Sequence, residues 1–340
     1  MKPPEFLLQY GKVADERLRA LLTAKLRRVE QLPVDLRDAH ALLSDYILRG
    51  GKRLRGALVI LGHRAAGGDG EAALEASIGV ELLHAYLLIH DDFMDGDDLR
   101  RGGPTLHRSL GGDHLGASLA VLLGSLCQAW AYELVLGNGL PGRGERHAAK
   151  IMSLALEEVT LGQMADLRAP RAAPLEVPGI LALEHLKTGS YTFEMPLLLG
   201  ASLAGGQARV FDALSAYARP LGQAFQIADD LLGSFGAPEV TGKPNASDLR
   251  EGKRTLLVAR ALERATPEDA AALRAGLGNP QADLELLREI LRRTGAVDFA
   301  RSEAERLRDE ALHALDAPGL PADVAVALRE IAVYTVSRTA

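Results

Sequence analysis

Apolar residues recur at helical spacing along most of the chain and almost nowhere alternate. The pattern predicts helices over residues 4–29, 35–49, 52–67, 70–95, 113–136, 143–168, 178–203, 207–232, 253–265, 267–276, 282–294, 296–316 and 321–337. Some start signals are mechanical. Thr266 is an N-cap, Pro267 suits the first helical position, and Glu268 and Asp269 put acid in the first turn. Gly- and Pro-bearing breaks fall at 102–105, 136–144, 169–179 and 233–248. No alternating run is long enough to build a sheet, and no repeat of fixed period occurs. The predicted helices 70–95, 113–136 and 207–232 are apolar on most faces and are expected at the centre. No linker separates halves of different composition. The expectation is an all-α fold, one domain over residues 1–340, built as a bundle of about ten to thirteen helices.

Composition narrows the function classes. The 340 residues suffice for one large domain or two ordinary ones. Hydrophobic residues at 47% and charged residues at 25% are ordinary for a globular chain, and aromatics at 4% favour helices over a β-sandwich. A net charge of −6 gives no general basic surface, so no nucleic-acid partner is expected. The single cysteine, Cys127, excludes an intramolecular disulfide framework and fits a reducing compartment, so a cytoplasmic location is expected. The N-terminus is amphipathic and charged, unlike a signal sequence. Residues 115–137 come nearest to a membrane span in length. Small residues, Gln128 and Glu133 within them favour a buried helix, with Cys127 and Trp130 in the core, so no membrane span is expected.

The candidate chemistry lies in HDDFMDGDDLRR, residues 90–101, where an apolar helix runs into acid and then into Arg100 and Arg101. Asp91 and Asp95 share a helical face, while Asp92 points roughly 100° away. Carboxylates four apart repel, and the helix dipole disfavours anions at a C-terminus. A hard cation offsets both effects, and Mg²⁺ takes one or two carboxylates with phosphate oxygens and water. A solvated acidic helix end is the ordinary alternative, but it leaves the apolar helix and the arginines unexplained. A second pair, Asp229–Asp230, ends another mostly apolar helix, and Lys243 and Lys253-Arg254 follow it. Two clusters built alike suggest facing walls of one metal–phosphate site. A third element, GGKRLR at 50–55, sets Lys52 and Arg55 three apart on one helical face, behind glycines that admit an anion to the backbone. Lys25, Arg27 and Arg28 read as a solvated face, and His90 as structural.

Taken in order, GGKRLR, ELLHAYLLIHDDFMDGDDLRRGGPTLH, GQMAD, KTGS, QIADD and TGKPNASDLREGKRT resemble the trans-isoprenyl diphosphate synthases of the polyprenyl synthetase family. The resemblance runs from about Gly50 to Thr255 and implies the isoprenoid synthase fold around a central hydrophobic cavity. It implies Mg²⁺-dependent condensation of isopentenyl diphosphate with an allylic diphosphate, three Mg²⁺ ions with Mn²⁺ able to substitute, and a homodimer. On this resemblance Asp91, Asp95 and Asp229 are metal ligands, supported by Asp92, Gln163, Asp166 and Asp230. Arg100, Lys187, Lys243 and Lys253 contact the allylic diphosphate; Lys52, Arg55, His84 and Arg101 form the isopentenyl diphosphate pocket. Lys187 (through a nearby helix carbonyl), Thr188 and Gln226 stand at the allylic carbon as catalytic groups.

One position departs from the family pattern. The second motif ends in Gly233 where DDxxD has a carboxylate. A non-catalytic diphosphate-binding regulatory subunit would lose acids, whereas the complete first motif and the intact TGK…DLREGKRT loop favour an active enzyme. A class I terpene cyclase fits poorly, because Gly233 and Ala237 occupy its second-motif positions and Lys52 and Arg55 would be unexplained. Product length is assigned to Tyr86 and Leu87, about one turn before Asp91, and to Leu83 a further turn away. One turn is about 5.4 Å, close to one isoprene unit. The pattern resembles geranylgeranyl (C20) synthases, with farnesyl (C15) and C25 synthases as alternatives.

Overall fold

The helices form where the apolar spacing puts them. In the computed structural model the described residues are 2–137, 142–169, 176–236, 246–316 and 319–336. Helix α1 spans Glu5–Val29, α2 Arg37–Leu48 and α3 Leu54–Ala65. A 3₁₀ turn at Glu71–Ala73 leads into α4, Leu74–Asp95. A hairpin of β1, Leu99–Arg100, and β2, Gly103–Pro104, precedes α5, Leu106–Ser109, and α6, His114–Leu136. Then come α7, Gly142–Arg168, and α8, Val177–Glu184, followed by a π-helical segment, His185–Glu194, and α9, Met195–Leu203. The remainder is α10, Ala208–Phe235; α11, Ser247–Glu251; α12, Leu256–Arg264; α13, Pro267–Gly276; α14, Leu284–Arg293; α15, Ala296–Ala314; and α16, Ala322–Val336. The fold is all-α, and the expected N-cap holds: Thr266 Oγ1 accepts from the Asp269 N–H at 3.2 Å.

The chain divides into two compact units. The first comprises Pro3–Ala149 and Leu199–Gly206, the second Met1–Lys2, Lys150–Leu198 and Gln207–Ala340. In the first, α4 packs against both α3 and α6. Leu58, Leu61, Ile78, Leu82, Leu83 and Ile89 are fully buried there, each side chain adding roughly 1.5–3 kcal/mol. A Cβ on Gly79 would lie 2.9 Å from the Ala131 carbonyl oxygen, so the missing side chain lets α4 and α6 approach closely. In the second unit α10 packs against α15 and the π-helical segment. Tyr217 of α10 is fully buried, and its hydroxyl donates to the Leu328 carbonyl at 2.8 Å.

Two expectations need correction. Helix α6 is buried on one side only, through Gly116, Ala120, Gly124, Cys127, Trp130, Ala131 and Val135. Small residues on that side fit against α4, and Leu115, Leu122, Leu126 and Leu136 face outward. By length and composition alone, this helix and the stretch Glu71–Asp95 could each cross a membrane. The expected helix over 178–203 is not regular either. It widens into π turns before Pro196, whose ring would clash with the Thr192 carbonyl in a straight α-helix.

Candidate active site

In the first unit the acids stand at the end of α4, which stops at Gly96 with φ +71°. Asp91 and Asp95 occupy one face at partial exposure, and Asp92 turns inward with no exposed surface. The Tyr46 hydroxyl donates to Asp92 Oδ2 at 2.6 Å, and Arg100 Nε donates to Oδ1 at 2.7 Å. Burial raises the Asp92 carboxyl despite these two partners. Arg100 also reaches Asp97 at 3.0 Å and Asp91 at 3.9 Å.

The hairpin aims the arginines. Leu99 pairs with Pro104 and Arg100 with Gly103, leaving Arg101 and Gly102 as the turn. Their φ values, +52° and +72°, are those of a type I′ turn. Arg49 anchors the hairpin by donating to the Pro104 carbonyl at 2.6 Å. The Arg101 guanidinium donates to the Gly50 carbonyl, and a Cβ on Gly51 would lie 2.9 Å from its Nη2. Glycine at 51 therefore serves the arginine as well as its own φ of +137°.

The GGKRLR stretch differs from the expected helical face. Helix α3 begins only at Leu54, so Lys52 precedes it, and Arg53 is the N-cap with φ +49°. Arg53 turns inward, 5% exposed, donating to Asp15 and to the Ile47 carbonyl, each at 2.9 Å. Buried Glu81 lies 3.7 Å from Arg53 and accepts from the Gly56 N–H at 2.8 Å. Arg53 and Glu81 thus fix the loop that carries Lys52 and the start of α3, which carries Arg55. Arg55 Nη1 lies 3.3 Å from His84 Nε2. Desolvation, then the charges of Arg55, Arg101, Arg100 and Arg53, push the His84 imidazole well below its ordinary range. The result is a neutral histidine among guanidinium groups, a setting suited to an anion with several oxygens.

One turn before the acids, the Tyr86 ring meets His90 edge-on, with centroids 4.6 Å apart. His90 Nε2–H donates to the Val121 carbonyl at 3.0 Å, and Gly124 leaves room for its ring. Leu83 is buried and Leu87 half-buried.

The second unit holds the other predicted residues. Lys187 pairs with Asp166, one turn from Gln163 on α7. Lys187 and Thr188 lie in the π-helical segment, whose wider turns are often found at functional sites. A Cβ on Gly162 would sit 2.6 Å from the Lys187 backbone nitrogen, so this glycine brings α7 against the segment. Gln226 Nε2 donates to Asp230 Oδ1 at 2.8 Å. Asp230 is 4% exposed, and Asp229 beside it is exposed. Burial, then the charges of Glu184 and Asp248, raise the Asp230 carboxyl; burial pushes Glu184 up to about 7. Lys253 lies 2.7 Å from Glu251 and 3.5 Å from Asp248. Lys243 lies outside the described residues.

Within the first unit, then, Lys52, Arg55, His84, Asp91, Asp92, Asp95, Arg100 and Arg101 gather at the N-terminus of α3 and the end of α4. Within the second, Gln163, Asp166, Lys187, Thr188, Gln226, Asp229, Asp230 and Lys253 lie on α7, the π segment, α10 and the turn after α11. Sequence reasoning passed over Tyr46, Arg53, Glu81, Glu184 and Asp248. Glu81 had a visible signal as the lone charge in an apolar run, and Asp248 stood in a motif without a role. Nothing near Tyr46 in the sequence marks it as a partner of Asp92.

The donor chemistry fits a hard divalent cation. No three His, Cys, Asp or Glu side chains converge on one metal position among the described residues. Mg²⁺ needs no such cage, since phosphate oxygens and water complete its shell. Burial raises Asp230 and Glu184, and the charges of Glu184 and Asp248 raise Asp230 further, a negative surrounding that a cation would relieve.

Residues 38–294 match the model of the polyprenyl synthetases. A geranylgeranyl pyrophosphate synthase from Corynebacterium glutamicum, solved with isoprenyl diphosphate and magnesium, is 35% identical. It superposes with a TM-score of 0.92 over 97% of this chain and 99% of its own. A (2E,6E)-farnesyl diphosphate synthase from Mycobacterium tuberculosis is 36% identical over 85% of this chain and 80% of its own. A geranylfarnesyl diphosphate synthase from Aeropyrum pernix is 36% identical over 77% of this chain and 83% of its own.

Proposed function

We propose the following reaction for this chain, which belongs to the polyprenyl synthetase family and is a prenyltransferase making short-chain prenyl diphosphates. It joins isopentenyl diphosphate to an allylic diphosphate and carries the product to geranylgeranyl diphosphate, C20. The observation that carries the reading is the end of α4, where two outward acids stand beside guanidinium groups collected around a neutral His84. An enzyme that binds two diphosphates and ionises one needs that combination.

Asp91, Asp95 and Asp229 would hold Mg²⁺, and three ions suit the two acid clusters. Bound there, the metal draws charge from the departing diphosphate and so eases its loss. Asp92 supports rather than coordinates, because Tyr46 and Arg100 occupy its oxygens. Arg100, Lys187, Lys243 and Lys253 neutralise the allylic diphosphate as its C1–O bond breaks. Lys52, Arg55, Arg101 and His84 hold isopentenyl diphosphate as a passive anion. Its double bond attacks the allylic C1, a new carbon–carbon bond forms, and a proton leaves the former isopentenyl unit to the released diphosphate. The Thr188 hydroxyl, the Gln226 amide oxygen and a carbonyl of the π segment face the cation without attacking it. Gln163, Asp166 and Asp230 position these groups: Asp166 holds Lys187 and Asp230 holds Gln226. The two units act together as one catalytic domain, and the enzyme works in the cytoplasm. The outward row of Leu115, Leu122, Leu126 and Leu136 on α6 supports a homodimer, with a second copy covering it.

The test is incubation with Mg²⁺, isopentenyl diphosphate and, in turn, dimethylallyl, geranyl and farnesyl diphosphate. Chromatography of the dephosphorylated prenols should show C20. A C15 or C25 end product would overturn the length assignment, and no product from any primer would overturn the catalytic reading.

A further inference from the structure

The π-helical segment His185–Glu194 carries Lys187 and Thr188, and two other helices of the second unit meet its backbone at glycines. On α7, a Cβ built on Gly162 would lie 2.6 Å from the Lys187 backbone nitrogen and 2.8 Å from its Cα. On α10, a Cβ built on Gly222 would lie 2.8 Å from the Gly189 Cα and 3.2 Å from its carbonyl oxygen. Thr188 is therefore flanked by two residues that are gripped from different helices. Gly162, Gly189 and Gly222 are all buried. Gly162 and Gly222 lie inside long helices, where alanine is the better helix former, so helix formation does not explain them. Each also stands one turn before a residue of the site, on the same helical face. Gly162 precedes Asp166, which takes the Lys187 ammonium, and Gly222 precedes Gln226.

We propose that Gly162 and Gly222 are positioning residues for prenyl transfer. By lacking side chains they set the depth at which Lys187, Thr188 and the carbonyls of the π segment stand relative to Gln226. The role rests on the reading of these groups as facing the allylic cation. Carbon atoms in ordinary contact lie about 3.5–4.0 Å apart, so an alanine methyl at either position would push the segment off its helix by about 1 Å. A displacement of about 1 Å at reacting groups costs about a hundredfold in rate. The long Lys187 side chain takes up such a shift by rotating, whereas the Thr188 hydroxyl and the backbone carbonyls do not. The loss therefore falls on the chemical step rather than on binding. The plainer alternative is that the two glycines serve packing alone.

Steady-state kinetics with Mg²⁺, isopentenyl diphosphate and geranyl diphosphate separate the two. Beside them stand thermal melts and calorimetric titration with geranyl thiolodiphosphate, an unreactive allylic analogue that counts intact sites. Gly222→Ala and Gly162→Ala should each lower kcat about a hundredfold. The number of analogue sites per chain should not change, nor should KM for isopentenyl diphosphate, whose pocket is assigned to the first unit. Gly11→Ala is the control, since it makes the same exchange inside α1 with nothing within 4 Å of the new Cβ, and it should leave kcat unchanged. Folded glycine variants with unchanged kcat would refute the role. A loss of activity matched by a loss of analogue sites, or variants that do not fold, would assign the glycines to packing alone and refute it equally. Thr188→Val shows which reading has failed. If it lowers kcat while the glycine variants do not, only the positioning role falls. If it too leaves kcat unchanged, the assignment of the π segment to the allylic cation falls with it.

Discussion

Replacing Tyr86 by alanine should lengthen the product. Tyr86 lies five residues before Asp91, so it stands about 7.5 Å, between one and two turns, below the acids along the helix. Truncation there should free room for one further isoprene unit and move the main product from C20 to C25. The obstacle is well held: the Tyr86 ring meets His90 edge-on at 4.6 Å, and His90 is fixed by its bond to the Val121 carbonyl, 3.0 Å long. Removing the ring costs the edge-to-face pair, about 1 kcal/mol. Because Tyr86 is only half-buried, the protein should stay folded. Leu83→Ala is a poorer probe, since a fully buried leucine costs about 2–5 kcal/mol when truncated. The assay is chromatography of dephosphorylated products at saturating isopentenyl diphosphate, beside a thermal melt. An unchanged product distribution from folded Tyr86→Ala would show that Tyr86 does not bound the cavity.

Further consequences can be measured. Tyr46→Phe leaves Asp92 Oδ2 buried without its donor and should cost about 1–3 kcal/mol in denaturant unfolding; no loss would mean that water replaces the hydroxyl. Leu122→Glu together with Leu126→Glu should convert a dimer to monomers in sedimentation, and an unchanged sedimentation coefficient would remove α6 from the interface. His84 has a folded pKa depressed below its ordinary 6.5, so the unfolded chain takes up a proton that the folded one refuses. The stability tied to it is full above pH 6.5 and is lost as the pH falls below that value. His84→Gln should therefore lose less melting temperature between pH 7 and pH 5.5 than the unaltered protein, and equal losses would contradict the assignment.

Much of this was legible in the sequence because helices are local. The apolar period placed α1 to α4 and α12 to α16 within a few residues, and motif order grouped the candidate residues. What escaped depends on contacts distant in sequence or on local geometry that spacing does not encode. The partner of Asp92 is Tyr46, on a different helix. The hairpin at 99–104 is too short for an alternating pattern and rests on the positive φ of Arg101. The π turns at His185–Glu194 share the period of an ordinary helix closely enough to be read as one. Small residues on one side of α6 and leucines on the other look alike on a hydropathy scale, so a half-buried helix was read as a buried one.

The order of acid, turn and arginine in HDDFMDGDDLRR follows from two demands on one helix end. Anions there oppose the helix dipole by about 0.3–1 kcal/mol each, and acids four apart add repulsion. Holding Asp91 and Asp95 outward for a cation thus requires that Asp92 be neutralised from elsewhere. A cation within α4 itself would sit one turn earlier, on the path given to the prenyl chain. The chain instead leaves α4 at Gly96 and doubles back, so that Arg100 returns to Asp92 from outside the helix. The next arginine, Arg101, occupies the turn itself and reaches the Gly50 carbonyl beside Gly51. A two-residue turn is what keeps both arginines this near the acids, and it places a non-glycine residue at φ +52°. That strain, of the order of 1–3 kcal/mol, is the local cost of setting both arginines on one hairpin.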